Sequence, residues 1–447
     1  MRSTTITTES RPQRFKALQV LFILVGATIV VLAIFADKLG YGDPGSLGVG
    51  QLLLALVGLV VSLIGLLGKR IVELYRGVAI LLLNTLVLLA ILELGAIIIA
   101  RSHQTAESAG IEKLPYYAAQ DWTEVYWREA KLAENYRYEP YVGWRHLPFA
   151  GETVNINQEG IRETPGAECS DGAFKVFTLG GSTMLGWGSP DWGTIAAYLQ
   201  SGLDEHMARP VCVVNLAEDG FVSTQSLIAL VLQLQSGNIP DTVIFYDGVN
   251  EVQAAYESGQ PRAHVTQSEI AARFEQREHP LVRWLQGSRQ YALMRRQVGK
   301  LMLNGGDDSP NQLNYRVMGI DADDLGKSVV EVYLENYRIV DALGQQYGFE
   351  HFFFLQPHLA VSKKPLTTEE QTFKSRIDPA LADLAHKVYA DASSVASDYE
   401  NLWYLADVFD GEHAQIWIDE VGHLTPEGNR LVAQEMLAVV ESQLAEK

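Results

Sequence analysis

Phe177–Trp192 reads FTLGGSTMLGWGSPDW. A short apolar run ends in Gly180-Gly181, a serine follows, and small and polar residues lead into a helical pattern. A chain that only had to turn there has no need of a hydroxyl at the tip. The stretch therefore reads as a strand, a tight turn and a helix, with Ser182 as a candidate nucleophile where they meet.

Downstream, the same alternation recurs. Strand candidates are 175–179, 211–215, 242–246, 351–355 and 403–406, with helical stretches at 194–207, 223–235, 327–347 and 369–392 between them. Thr425-Pro426-Glu427 supplies a cap and a first-turn proline for a last helix. Nearly continuous apolar strands alternating with helices predict a parallel sheet covered on both faces. The alternation in GETVNIN (151–157) predicts a hairpin strand ahead of it.

The chain has 447 residues and is 47 % apolar, unevenly spread. Ala17–Phe35, Gly50–Gly68 and Val78–Ala100 are apolar runs, each near the roughly 20 residues that span a bilayer core as a helix. The alternative, a cleaved signal peptide followed by buried helices, lacks a small-residue cleavage site after the first run. Arg2, Arg11, Arg14 and Lys16 precede the first run, and Lys69, Arg70 and Arg76 lie between the second and third. Positive flanks stay inside, so the N-terminus is expected in the cytoplasm and residue 102 onward outside it. Glu93, inside the third run, is read as protonated or reaching the interface, in preference to a transport role.

Residues 1–101 carry a net charge of +4 and the remainder −23. So acidic a domain excludes nucleic acid as a partner, because phosphates require a basic surface. The expected division is a membrane region at 1–101, a linker at 102–137, and an α/β domain at 138–447 with an inserted segment at about 254–326. That insert holds a basic amphipathic stretch (279–303), read as a helix capping a site or lying on a membrane surface. The two cysteines, Cys169 and Cys212, are either a disulfide at the same edge of the sheet or two free thiols.

In open α/β sheets, ligands bind beyond the carboxyl ends of the strands. Those ends deliver Gly181 and Ser182, then Gly220, then Gly248 and Asn250, and last Asp419, Glu420 and His423. This set meets the needs of acyl transfer. A histidine near neutral pH takes the serine proton, and a carboxylate orients the ring. Donors at Ser182, Gly220 and Asn250 meet the oxyanion. Taken singly, GGST is equally a glycine turn with a helix cap, GVNE a turn, and His423 a structural histidine. Their joint occurrence at successive strand ends makes them a candidate catalytic site.

These residues resemble the SGNH (GDSL-type) hydrolases, here in a membrane-anchored form. GGSTMLGWG matches the nucleophile block in the variant where GDS reads GGS. NLAEDG resembles the second block through Gly220, GVNE the third through Gly248 and Asn250, and DEVGHLTPEGN the last. The similarity covers about residues 138–445. It implies a flavodoxin-like three-layer α/β/α sandwich, no metal or other cofactor, and esterase, lipase or O-acyltransferase activity. Gly181 stands where the family usually has Asp, and Glu251 where the third block has Asp. Glu420 has the family's spacing to His423, whereas Asp419 has its hydrophobic-Asp context (WID). Asp419 is favoured as the triad acid, with Glu420 as second choice.

The expected activity is a serine esterase or O-acyl hydrolase acting outside the cytoplasm on an acyl ester of a glycan or lipid. The alternatives are an O-acyltransferase on a cell-envelope glycan or lipid, and a non-catalytic binding or assembly module that kept the fold.

Overall fold

The computed structural model describes residues 11–36, 48–67, 75–92, 95, 110–268, 270–271 and 314–445. Glu93 and the basic stretch at 279–303 lie outside the described residues. The chain forms two compact units, dividing near residue 100.

Among its described residues, the first unit holds three helices long and apolar enough to cross a membrane: α1 (Arg11–Ile34), α2 (Val49–Leu66) and α3 (Tyr75–Leu92). Small residues bring α1 and α2 together. A Cβ on Gly26 would meet the Gly58 carbonyl at 2.6 Å, and one on Gly58 would meet the Gly26 carbonyl at 2.7 Å. Such close backbone approach is how apolar helices gain packing where the hydrophobic effect offers none.

The second unit is a parallel sheet covered on both faces, as the strand–helix alternation predicts, in the flavodoxin-like α/β/α arrangement that the resemblance implies. Two short antiparallel pairs come first: β1 (Tyr136–Glu139) with β2 (Gly143–His146), and β3 (Phe149–Ala150) with β4 (Asn155–Ile156). The GETVNIN hairpin thus exists as β3–β4, while β1–β2 has no counterpart in the sequence reading. Five parallel strands follow: β5 (Phe174–Gly180), β6 (Val211–Asn215), β7 (Thr242–Asp247), β8 (Glu350–Leu355) and β9 (Leu402–Tyr404). Their order is β6-β5-β7-β8-β9. The chain therefore reverses direction across the sheet between β5 and β7, the switch point at which α/β folds open a ligand crevice.

Helices Ile195–His206 and Pro426–Ala445 pack together on one face of the sheet. Ser223–Gln235, Val249–Ser258, Ala322–Tyr347 and Pro379–Val395 cover the other. Buried on both sides, β7 has no exposed residue along its length, which is why the strands read as apolar runs rather than as alternation. The stretch 369–392 forms two helices, Thr368–Arg376 and Pro379–Val395. Pro379 lacks the N–H that would continue the first helix, and Asp378 caps the second through the Ala380 amide. Cys169 and Cys212 form a disulfide with a Cα–Cα distance of 4.8 Å. Residues 110–133, within the stretch read as linker, contribute Tyr117, Tyr126 and Trp127 to the domain's core.

Candidate active site

Ser182 opens a single helical turn, Ser182–Leu185, directly after β5. Gly181 before it has ordinary extended geometry, so its φ does not demand glycine. Space does: a Cβ there would collide with the Asn250 side-chain amide, and Phe221 O would lie 3.2 Å away. The loop after the turn is held by Arg162, buried from the stretch before β5. Its guanidinium donates to the carbonyls of Gly186 (2.7 Å) and Ser189 (2.6 Å) and pairs with Asp191 (2.9 Å).

His423 sits on a short hairpin-like loop, closed by the Trp417–Leu424 bridge and by Ile418 N donating to His423 O (3.1 Å). Glu370, fully buried, anchors this loop from a distant helix. One carboxylate oxygen accepts from the Ile416 and Trp417 amides (2.8 and 3.0 Å), and the other pairs with Lys364 at 2.7 Å. A buried carboxylate with a paired cation and satisfied lone pairs is tolerated in the interior.

These elements bring the Ser182 Oγ to 2.7 Å from His423 Nε2. His423 Nδ1 lies 2.6 Å from Asp419 Oδ2. The other Asp419 oxygen accepts from the amides of Val421 (3.0 Å), Gly422 (2.9 Å) and His423 (3.1 Å). Burial pushes the Asp419 carboxyl up, but the His423 ring and these amides outweigh it and hold it below the usual range. Burial likewise opposes a charged His423, yet the Asp419 carboxylate prevails and raises its pKa. Glu420, adjacent in sequence, points elsewhere: it is 43 % exposed and 3.9 Å from Arg376. The Trp187 ring lies against His423, with centroids 4.4 Å apart.

Ser182, Gly220, Asn250, Glu420 and His423 share the lining of one cavity of about 510 Å³. Gly220 has φ +69°, a left-handed conformation that glycine adopts without strain. Asn250 Nδ2 donates to Phe221 O at 2.7 Å, which leaves the second amide hydrogen free of that bond. Gly181 and Gly248 are not among the lining residues. Gly248 instead opens the helix that carries Asn250, its amide donating to Glu251 Oε2 at 2.8 Å. Glu251 is buried and also accepts from the Ser223 amide, so the glutamate in the third block ties two loops of the site together. A second cavity of about 930 Å³ adjoins, sharing Trp187, Arg376, Glu420 and Val421 with the first.

Arg162, Trp187, Lys364 and Glu370 escaped the sequence reading. Arg162 had a weak signal, an arginine in a Gly-Ile-Arg stretch just before the domain's first parallel strand. Trp187 lies inside the quoted GGSTMLGWG block, which gave its neighbourhood but not its role, and Lys364 and Glu370 had no signal.

No protein-family model matches the chain, and no curated protein matches it in sequence. Several solved structures align with it. The acetyl xylan esterase AlAXEase is 16 % identical, aligned over 60 % of this chain and 99 % of its own, with a TM-score of 0.32. A lipolytic protein of the G-D-S-L family from Veillonella parvula is 12 % identical over 60 % and 98 %, with a TM-score of 0.30. TesA is 11 % identical over 59 % and 97 %, also with a TM-score of 0.30.

Proposed function

We propose that the chain is a membrane-anchored serine esterase of the SGNH type, its α/β domain outside the cytoplasm. One observation carries this reading: the Ser182–His423–Asp419 chain of hydrogen bonds, 2.7 and 2.6 Å long, at the carboxyl ends of a parallel sheet.

His423 Nε2 takes the proton as Ser182 Oγ attacks the acyl carbon. The carbonyl oxygen becomes an oxyanion, met by the Ser182 and Gly220 amides and the Asn250 side chain. His423 then returns the proton to the leaving oxygen as the ester C–O bond breaks. Water attacks the acyl-enzyme by the same route, releasing the acid and restoring Ser182. Asp419 holds the ring in the tautomer with its proton on Nδ1 and stabilises the imidazolium that forms. The base must be neutral at the start, so kcat/KM rises with pH through the His423 pKa, which is raised above the ordinary histidine value.

Among the described residues, the cavity around Ser182 is also lined by Asp219, Glu257, Asp378 and Glu420, against one cation, Arg376. This lining disfavours anionic esters and supports an uncharged acylated glycan or lipid as the substrate. Transfer of the acyl group to an acceptor hydroxyl is a second reading. The adjoining cavity of about 930 Å³ favours it, since it offers room for an acceptor beside the acyl-enzyme.

Incubating the full-length protein, in detergent or nanodiscs, with a fluorophosphonate and a panel of acylated glycans and lipids tests the proposal. Covalent labelling that Ser182→Ala abolishes supports it. Wild-type protein that neither labels nor cleaves any ester refutes it, and leaves the binding-module reading.

A further inference from the structure

The β1–β2 hairpin completes no part of the parallel sheet, yet its side chains converge on one loop, residues 216–220 between β6 and the following helix. Trp144 Nε1 donates to Asp219 O at 2.7 Å, and Arg145 Nη1 to Leu216 O at 2.9 Å. The His146 amide donates to Glu218 Oε2 at 3.0 Å, and its ring Nδ1 lies 2.5 Å from Glu218 Oε1. On its other edge, His146 Nε2 lies 3.5 Å from Asp219 Oδ2, which also accepts from the Tyr136 hydroxyl at 2.6 Å. The next residue is Gly220, and Asp219 and Gly220 both line the Ser182 cavity.

The His146 side chain is 5 % exposed and that of Glu218 fully buried. A ring held between two carboxylates in the interior satisfies both when it carries a proton on each nitrogen. Among the described residues, the charged groups that face it are Glu218 and Asp219 on the loop, Glu134 just after the helix Thr123–Ala133, and Arg162, with Arg145 from β2 3.9 Å from the Glu218 carboxylate; Tyr136 adds a phenol from β1. Burial opposes a charged ring, but the Glu218 hydrogen bond and the Asp219 and Glu218 charges outweigh it, and the His146 pKa is raised. Asp219 in turn adds to the negative field on His423.

We propose that His146 is a positioning residue for the Ser182 site: an imidazolium between Glu218 and Asp219 that fixes the Gly220 amide and offsets the charge Asp219 presents to His423. The inference rests on the esterase reading. The hydrogen bonds and charges around the ring give it two separable consequences. Loss of the ring loosens the loop and lowers kcat. Loss of its charge leaves Asp219 uncompensated, which favours protonated His423 and moves the acid limb of kcat/KM to higher pH. Removing the Asp219 charge moves that limb to lower pH.

The test is the pH dependence of p-nitrophenyl acetate hydrolysis by the full-length wild type, His146→Gln and Asp219→Asn. Fluorophosphonate labelling of Ser182 is followed in parallel. Both variants are expected to label. His146→Gln is expected to lose about 10-fold or more in kcat, short of the 10²–10³ for outright loss of an oxyanion donor. The two acid limbs are expected to move in opposite directions. A His146→Gln enzyme with wild-type kcat and an unmoved limb overturns the proposal, as do shifts of the same sign. Should His146→Gln not fold, Asp219→Asn decides: a lowered limb with reduced kcat supports the clamp, and an unmoved limb overturns it. Wild-type protein that does not label points instead to failure of the esterase reading.

Discussion

Replacing Asp419 by Asn is the sharpest test of the site, because the structure dictates how the new amide must sit. Oδ1 of Asp419 accepts three backbone N–H groups, from Val421, Gly422 and His423. Only an oxygen can stay there, since an NH₂ group would face three donors. The asparagine amide nitrogen is thereby forced into the position of Oδ2, 2.6 Å from His423 Nδ1. A donor in that place makes Nδ1 an acceptor and drives the ring proton to Nε2, the atom that faces Ser182 Oγ. The base then has no lone pair for the serine proton. The overall fold changes little, and kcat falls by about 10⁴, the scale associated with a wrong histidine tautomer, or roughly 5.4 kcal/mol. Glu420→Gln is the matched control: its side chain is half exposed and makes one long ion pair with Arg376, so activity stays within about threefold. The assay is ester hydrolysis at saturating substrate by both full-length variants, with thermal unfolding to verify the fold. Asp419→Asn within tenfold of wild type, or Glu420→Gln as the more damaged enzyme, refutes the assignment.

Asn250→Ala removes a donor and is expected to leave fluorophosphonate labelling detectable while lowering kcat by roughly 10²–10³; unchanged turnover shows that Asn250 only buttresses Phe221 and Gly181. The disulfide joins residues 43 apart in sequence, so the double variant Cys169→Ser/Cys212→Ser should lose up to about 4 kcal/mol of stability. Denaturant unfolding reads this directly, and an unshifted midpoint contradicts it. Reporters active only outside the cytoplasm should be active when fused after Arg101 and silent when fused after Arg70. The reverse pattern removes the exported-enzyme reading.

The sequence by itself determined the five parallel strands, most of the helices between them (though not Val249–Ser258, which carries Asn250), the three apolar spans, and a serine, glycine, asparagine and histidine at successive strand ends. This information is local. Burial on both faces writes an apolar run at each strand, caps and prolines mark helix starts, and parallel crossovers send every strand's carboxyl end to the same edge. Where the reading ran past a local signal, as at Pro379, the structure broke one expected helix into two. The choice between Asp419 and Glu420 belonged to the tertiary structure. Both lie next to each other on one loop, and only the closure of that loop between Trp417 and Leu424 turns the first toward His423 and the second toward Arg376. The same holds for the bond between Cys169 and Cys212, for Glu370 under the Ile416 and Trp417 amides 46 and 47 residues away, and for His146 against Glu218 at a separation of 72. A contact between distant residues leaves no periodicity or spacing in the chain. It comes into being only when the sheet and its covering layers fix where each loop ends.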